Sequence, residues 1–207
     1  MRTVVSLLLV AGLALGAGIG YRWYSQRIES SAAILINGTI LQPPRTTAPF
    51  QLIDHRSQPF GLANFKDRWS FVFFGFTNCP DVCPTTLHTF RSMYESFPQH
   101  EIDSAQVQVV FVSVDPERDS VEVLRQYVPY FHPEFVGVTG TSEATERFAK
   151  DLGVLYVKVP QQDSDEYSVD HSASVFVFDP QGRMKAVLSP PYKAAELVSV
   201  LKQLLNA

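Results

Sequence analysis

The residues with the clearest chemistry in this sequence are its two cysteines, Cys79 and Cys83, in the stretch FGFTNCPDVCPTTLHTF at residues 74 to 90. Two thiols separated by three residues fit a structural disulfide, a redox-active dithiol, or a pair of ligands for a soft metal ion. A disulfide here would close a very short loop and would constrain little of the unfolded chain. We therefore favour one of the two functional sites.

The elements around the cysteines predict how the thiols are positioned. The run SFVFFGFT is continuous in aromatic and β-branched residues, which is typical of a strand buried on both faces. Helical spacing of apolar residues follows from Asp81 onward, so Cys79 lies at the mouth of the strand and Cys83 in the first helical turn. Residues four apart on a helix face the same way, and the unpaired amides of that turn lower the pKa of nearby thiols. We expect reactive sulfurs.

A metal site needs at least one further ligand. Thiolates prefer Cu(I), and two thiolates with one imidazole form a low-coordinate site that can release copper by ligand exchange. A structural zinc site needs four protein ligands, and the sequence holds no third cysteine. His171, in YSVDHSASVFVF, is the best-placed of the five histidines because it precedes a buried strand that can run beside the cysteine strand. Its position alone does not decide between metal binding and thiol exchange.

The other histidines are weaker candidates. His88 lies five residues after Cys83 and is predicted to turn away from it, towards solvent or the edge of the core. His55 lies in a predicted turn, and His100 and His132 lie next to predicted loops. We expect all three of these at the surface.

The rest of the chain alternates predicted strands and helices. The predicted elements are a strand, turn and strand in FQLIDHRSQPF, a short helix in GLANFKDRW, a strand in VQVVFVSV, a helix in SVEVLRQYVPYF, a strand in EFVGVTG, a helix capped by Ser142 and ended by Gly153, strands in VLYVKV and ASVFVFDPQGRMKAVL, and a final helix in YKAAELVSVLKQLLNA. This order predicts an α/β fold whose mixed central sheet is flanked by helices and ends in an antiparallel hairpin.

The acidic sequence DPERD, residues 115 to 119, has two interpretations. Asp115 and Asp119 could serve as metal ligands or as an acid and base pair. Carboxylates are poor ligands for Cu(I), however, and Asp119 with Ser120 lies where a helix needs a cap. We therefore predict structural roles for both aspartates.

The N-terminus predicts a membrane anchor. Residues 3 to 20 carry no charge, a length that can cross a bilayer, and Tyr21, Trp23 and Tyr24 follow as interfacial aromatics. The alternative is a cleaved signal peptide ending near ALGAGIG. We predict an anchor over residues 1–24, a tether over residues 25–47 that includes Pro43 and Pro44, and one domain over residues 48–207.

Composition excludes some functions. The chain has 207 residues, which suits one membrane element and one domain, and its net charge is −4. The acids and bases are interspersed and form no basic stripe that would neutralise phosphates. Nucleic acid is therefore not an expected partner.

Four sequence blocks together resemble the Sco/SenC family of copper chaperones, which have a thioredoxin-like fold. The blocks are FFGFTNCPDVCPTTL with the cysteine pair, VFVSVDPERDS at 110 to 120, GTSEATERFAKDLGV at 140 to 154, and YSVDHSASVFVFDPQG at 167 to 182. The resemblance covers about residues 48 to 205. In ordinary thioredoxins the cysteines are spaced CxxC and a proline precedes the facing strand, whereas here the spacing is CxxxC and Ala173 and Ser174 precede it.

The resemblance implies a function and its partners. Cys79, Cys83 and His171 are expected to bind a copper ion, as Cu(I), Cu(II) or both. The protein is expected to serve assembly of the dinuclear copper centre of cytochrome c oxidase subunit II, with a copper donor and a thioredoxin-like reductant as further partners. The family pattern and the short leader favour a bacterial cytoplasmic membrane, with a single-pass N-terminal transmembrane helix and the domain in the periplasm.

One rival function belongs to a different class. The same two thiols would suit a thiol-disulfide oxidoreductase that reduces the copper-site cysteines of subunit II without carrying metal. A peroxidase is a weaker alternative, because TNCPDVCP resembles peroxide-reducing thiol sites but no activating arginine is evident near Cys79.

Overall fold

The computed structural model describes residues 37–160 and 167–206, and these residues form a domain around an eight-stranded mixed sheet. The ten strands are β1 (Gly38–Arg45), β2 (Leu52–Asp54), β3 (Pro59–Phe60), β4 (Trp69–Gly75), β5 (Val107–Ser113), β6 (Val136–Thr139), β7 (Tyr156–Pro160), β8 (Tyr167–His171), β9 (Val175–Phe178) and β10 (Met184–Leu188). The α-helices within these described residues are α1 (Val82–Glu95), α2 (Val121–Phe131), α3 (Ser142–Leu152) and α4 (Ala194–Leu205).

The main sheet has the strand order β1-β10-β9-β4-β5-β6-β2-β3. Strands β4, β5 and β6 are parallel, whereas β9 pairs antiparallel with β4 and with β10. The predicted mixed sheet with a terminal antiparallel hairpin is therefore confirmed. The strand after His171 is β9, and it does run beside the cysteine strand, the arrangement on which the choice of His171 depended.

Alternating side chains of β4 explain why the sheet is covered on both faces. Phe71 and Phe73 pack in one core cluster with residues of α1, α2 and α4. Val72 and Phe74 pack in a second cluster with residues of α3. Because successive residues of a strand point to opposite faces, an unbroken apolar run needs cover on both sides.

The sheet starts earlier in the chain than predicted. Gly38–Arg45 forms strand β1, which pairs antiparallel with β10, so these residues belong to the sheet rather than to the predicted tether of residues 25–47. Pro43 and Pro44 suggested a linker, but β1 is an edge strand and its register shifts between Ile40 and Arg45. Proline is tolerated at edges and bulges because its missing N–H costs no ladder hydrogen bond there.

Smaller differences concern local elements. The helix predicted in GLANFKDRW is a 3₁₀ turn at Leu62–Phe65. The cap of α3 is Thr141 rather than Ser142, and its side chain accepts a hydrogen bond from the amide of Ala144. Gly153 ends that helix in a left-handed conformation, as predicted. Strand β8 was not predicted; it pairs with β7 in a separate two-stranded ribbon.

The predicted membrane anchor, residues 1–24, lies outside the described residues. Within residues 37–160 and 167–206, no helix is both long enough and apolar enough to cross a bilayer.

Candidate metal centre

Three segments converge at one edge of the sheet. Gly75 at the end of β4 pairs with Ser113 at the end of β5, so the loops that follow both strands leave from the same edge. Strand β9 is antiparallel to β4, and its first residue, Val175, pairs with Phe73. The residues before β9, including His171, therefore return to the edge where the cysteine loop begins. Ligand sites in such sheets occur at the carboxyl ends of parallel strands.

The two cysteines differ in accessibility. Cys79 lies in the loop before α1 and is half-buried, whereas Cys83 lies in the first turn of α1 and is fully buried. The Cys83 amide points at the Cys79 sulfur at 3.5 Å, as an unpaired first-turn amide can. Both cysteines are free thiols in the structure. An incoming reactant therefore meets Cys79 first.

The surroundings of the two cysteines shift the pKa values of their thiols in opposite directions. A hydrogen bond with Cys83 is the largest effect and lowers the pKa of Cys79 well below its usual range; burial opposes it, and contacts with His171 and with the amides of Cys83 and Asp81 lower the pKa further. The same hydrogen bond, with burial, raises the pKa of Cys83. At neutral pH, Cys79 is the thiolate and Cys83 the thiol that donates to it.

Gly75 makes room for the Cys83 sulfur. A β-carbon at position 75 would lie 2.7 Å from Cys83 Sγ and 2.8 Å from the ring of Phe111. Such contacts are too short for any side chain to fit without displacing its neighbours. A glycine at the end of an otherwise bulky strand is the sequence signal of this close approach.

His171 reaches the sulfurs from the last position of β8. Its Nδ1 lies 3.1 Å from the carbonyl oxygen of Ser172, and because a carbonyl can only accept, Nδ1 carries the proton. With Nδ1 held in this way, Nε2 is the nitrogen that faces the sulfurs, and it lies 3.7 Å from Cys83 Sγ. The rings of Phe73 and Phe76 meet the imidazole edge to face at 6.2 and 6.0 Å. These contacts present Nε2 as a metal ligand.

The structure thus brings together the three predicted site residues. One ligand atom each from Cys79, Cys83 and His171 lies within 4.8 Å of the others. Cys79 and His171 line a cavity of about 290 Å³, with Asp81 and Asp170 also in its wall. Two sulfurs and one imidazole nitrogen are a soft donor set, which fits copper and disfavours Mg²⁺ or Ca²⁺.

Asp119 supports the cysteine loop from inside the protein. Its carboxylate accepts hydrogen bonds from the Thr77 amide at 3.0 Å, the Thr77 hydroxyl at 2.6 Å and the Ser113 hydroxyl at 2.6 Å. Asp119 is fully buried, and burial raises its pKa against the effect of these bonds. Thr77 lies two residues before Cys79, so Asp119 fixes the start of the loop that carries the first sulfur.

Asp115 and Arg118 hold the histidine strand. Tyr167, at the start of β8, donates its hydroxyl to the buried Asp115 carboxylate at 2.7 Å. Arg118 pairs with Asp115, donates to the Tyr167 carbonyl at 2.9 Å and stacks 3.7 Å above the Tyr167 ring. The DPERD segment therefore contacts both halves of the site. Its aspartates act structurally, as predicted, but these particular contacts were not foreseen.

The remaining histidines lie away from this cluster. His88 is exposed on α1, and its ring meets Phe131. His55 was expected at the surface, but it is buried and its Nδ1 accepts a hydrogen bond from the Gly137 amide. That bond ties the turn after β2 to β6, and burial lowers the pKa of His55. His100 and His132 are partly exposed.

This chain is similar to known proteins in sequence and in fold. The family model described as SCO1/SenC matches residues 38–206. The mitochondrial SCO2 homologue of Mus musculus is 33% identical over 198 residues, which span 95% of this chain and 77% of that protein. The apo Sco1 protein of Thermus thermophilus is 41% identical, with a TM-score of 0.72 and coverage of 84% and 99% of the two chains. Copper-bound ScoI of Arabidopsis thaliana is 33% identical, with a TM-score of 0.71 and coverage of 78% and 99%.

Proposed function

Because this chain belongs to the SCO1/SenC family, we propose that it is a copper metallochaperone that binds copper through Cys79, Cys83 and His171. The observation that carries the proposal is the convergence of these three soft donors within 4.8 Å, beside an open cavity that Cys79 and His171 line. Copper-bound structures of relatives support the choice of metal. Copper is the cargo, and the protein delivers it for assembly of the dinuclear copper centre of cytochrome c oxidase subunit II.

Release follows from the unequal exposure of the ligands. A thiolate of the acceptor enters the cavity and replaces Cys79, the half-buried ligand, while Cys83 and His171 still hold the metal. Further acceptor thiolates then replace the remaining ligands one at a time. Copper never becomes a free ion in this sequence, because each ligand leaves only as another binds.

The proposal includes a location. A single-pass helix within residues 1–24 would hold the domain at the periplasmic face of a bacterial cytoplasmic membrane, close to a membrane-bound acceptor. A thioredoxin-like reductant would keep both thiols reduced, because a Cys79–Cys83 disulfide cannot bind copper. Membrane fractionation, followed by protease treatment of spheroplasts and of inverted vesicles, tests this topology.

The decisive experiment measures copper retention by the reduced full-length protein in detergent. Wild type, Cys79→Ser, Cys83→Ser and His171→Ala are loaded with Cu(I) or Cu(II) and dialysed against a competing chelator. We expect about one copper per wild-type chain and a large loss in each variant. His88→Ala removes an exposed histidine of α1 and is the matched control. Undiminished retention in all three site variants would contradict the proposal.

The thiol-disulfide reductase remains a second candidate because Cys79 is an accessible thiolate beside a buried thiol. The Cys79 thiolate would attack the substrate disulfide and form a mixed disulfide, releasing one substrate thiolate. Cys83, once deprotonated, would then attack the Cys79 sulfur and release the second substrate thiolate. The substrate thereby gains two electrons, and Cys79 and Cys83 end as a disulfide. Reduction of an oxidised acceptor with the same rate in His171→Ala would favour this candidate.

A further inference from the structure

The two faces of the β7–β8 ribbon differ in what they contact. Residues directly opposite each other in an antiparallel pair share a face. His171 lies opposite Tyr156, and Val169 lies opposite Lys158, with Val169 buried in the second core cluster. This face therefore packs on the domain and carries the imidazole. The other face carries Val157 opposite Asp170 and Val159 opposite Ser168, and it points to solvent.

The outward face of β7 is apolar along its whole length. Leu155, directly before β7, is 76% exposed, and Val157 and Val159 within β7 are 59% and 38% exposed; we refer to these three residues as the outer ribbon face. They occupy alternate positions over about 13 Å of extended chain. A single exposed apolar residue is ordinary, but the solvent face of an antiparallel strand is normally polar. A contiguous apolar stripe of this kind marks an interaction surface.

The outer ribbon face is continuous with the mouth of the metal cavity. Asp170, which lies opposite Val157, and Ser168, which lies opposite Val159, both line the cavity that contains Cys79 and His171. A protein bound to the outer ribbon face would therefore overlie the cavity mouth. Val82, which is 42% exposed, lines the cavity from the start of α1 and extends the apolar contact to its other side.

Charge at the cavity mouth indicates the chemistry of the partner. Asp81 and Asp170 are both exposed and both line the cavity. A second copy of this chain would bring the same carboxylates together, and an anionic membrane surface would be repelled by them. A partner with lysine or arginine beside its apolar contact would be attracted instead.

Given the proposed function, we propose that the outer ribbon face is the docking surface for the protein that receives copper from this chain. That partner presents an apolar patch bordered by basic side chains next to its own copper-binding thiols. Docking aligns those thiols with the cavity mouth, where Cys79 is the accessible ligand. The interface is small, as suits a complex that must separate after each transfer.

The test compares two acceptors for the copper-loaded full-length protein in detergent. One is the reduced copper-site domain of cytochrome c oxidase subunit II from the same organism, and the other is bathocuproine disulfonate, a small Cu(I) chelator that needs no docking. The variant is Leu155→Ser/Val157→Ser. The matched control is Val123→Ser/Tyr130→Ser, which removes two exposed apolar side chains of α2. Stopped-flow absorbance gives the second-order rate constant of transfer.

We expect the ribbon variant to transfer copper to the subunit II domain at least tenfold more slowly, with transfer to the chelator unchanged. The control should match wild type with both acceptors, and the wild-type rate should fall as salt is added. Equal transfer to the protein by wild type and ribbon variant would overturn the docking proposal. The docking proposal would also be overturned if the ribbon variant lost only self-association, measured by sedimentation, or only binding to anionic lipid vesicles. Absence of transfer by wild type would instead contradict the proposed function.

Discussion

The cysteine half and the histidine half of the site are held in different ways. Cys79 and Cys83 follow β4, a central strand whose residues are all buried, and Cys83 itself belongs to the main core cluster. His171 ends β8, in a two-stranded ribbon separate from the main sheet. That ribbon is tied to the domain by Val169 and by the contacts of Tyr167 with Asp115 and Arg118.

This difference suits a protein that must bind a metal ion and then give it up. Segments with few buried apolar contacts open locally at a lower free-energy cost than the core does. The Cys83 sulfur is therefore expected to keep its position unless the whole domain unfolds, whereas the imidazole can withdraw with its ribbon once an acceptor thiolate has replaced Cys79. Substitutions in the cysteine half should change global stability, and substitutions of the residues that tie the ribbon to the domain should change copper affinity with little effect on stability.

The largest effect on stability is expected from Asp119→Ala. It removes three hydrogen bonds and leaves the amide and hydroxyl of Thr77 and the hydroxyl of Ser113 without their partner. We expect the free energy of unfolding to fall by about 3–5 kcal/mol, because buried polar groups left unsatisfied are costly. Urea denaturation of the reduced protein measures this change.

Asp103→Ala is the matched control for Asp119→Ala. Asp103 also accepts a hydrogen bond from a backbone amide, that of Ala105, but the contact is exposed. We expect its loss to cost about 1 kcal/mol or less. Similar costs for the two variants would contradict the view that Asp119 anchors the cysteine loop.

An intermediate effect is expected from Gly75→Ala. The new methyl group would overlap Cys83 Sγ and the Phe111 ring, so we expect a loss of about 1–3 kcal/mol in stability together with weaker copper binding. Gly137→Ala is the control, because its methyl group would crowd Val128 at 2.7 Å, away from the cysteines. Chelator competition should show weaker copper binding only for Gly75→Ala. Equal copper affinity in both variants would mean that Gly75 has no particular role at the site.

A smaller effect on stability is expected from Tyr167→Phe, which removes the hydrogen bond to Asp115. Since the ribbon is peripheral, we expect the free energy of unfolding to change by less than about 1 kcal/mol. Copper affinity should fall by roughly three- to tenfold, because part of the binding energy is then used to order β8. Tyr156→Phe, on the neighbouring strand, leaves the Asp115 contact in place and should bind copper like wild type. A Tyr167→Phe variant that loses stability but keeps its copper affinity would contradict the view that the ribbon affects copper binding more than global stability.

The smallest change is expected in the alkylation rate of Cys79 when the pH of the reduced, copper-free protein is lowered. Because the pKa of Cys79 is lowered, its thiolate persists below pH 7, and its alkylation by iodoacetamide should change little between pH 8 and pH 5. An ordinary thiol would slow by about tenfold per pH unit over this range. Mass spectrometry locates the modification, and Cys79→Ser controls for reaction at Cys83. A tenfold decrease per unit at Cys79 would show that the thiol is not activated.

Much of this fold could be predicted from the sequence because local patterns and global packing agree. The aromatic run of β4 and the helical spacing after Asp81 place both thiols at one sheet edge without any structure. Strand β9 is a further unbroken apolar run, which indicated a buried strand, but its pairing with β4 was foreseen only as a possibility. The position of β1 was missed because Pro43 and Pro44 resemble a linker, and only tertiary pairing shows that they lie on an edge strand.

The supporting contacts of the site were less accessible to sequence analysis. Tyr167 contacts Asp115 across 52 residues of chain, and no spacing rule connects them. His55 looked like a surface residue in a polar turn, and only the packing of that turn against β6 buries it. Contacts of this type depend on how loops fold over one another, which local propensity does not determine.

The central claim is that Cys79, Cys83 and His171 bind the same copper ion. Copper K-edge X-ray absorption of the reduced, Cu(I)-loaded full-length protein tests it directly, with His171→Ala measured alongside. We predict two sulfur ligands and one imidazole nitrogen in wild type, and loss of the imidazole scattering with both sulfurs retained in His171→Ala. A wild-type spectrum without imidazole, or identical spectra for the two proteins, would contradict the claim.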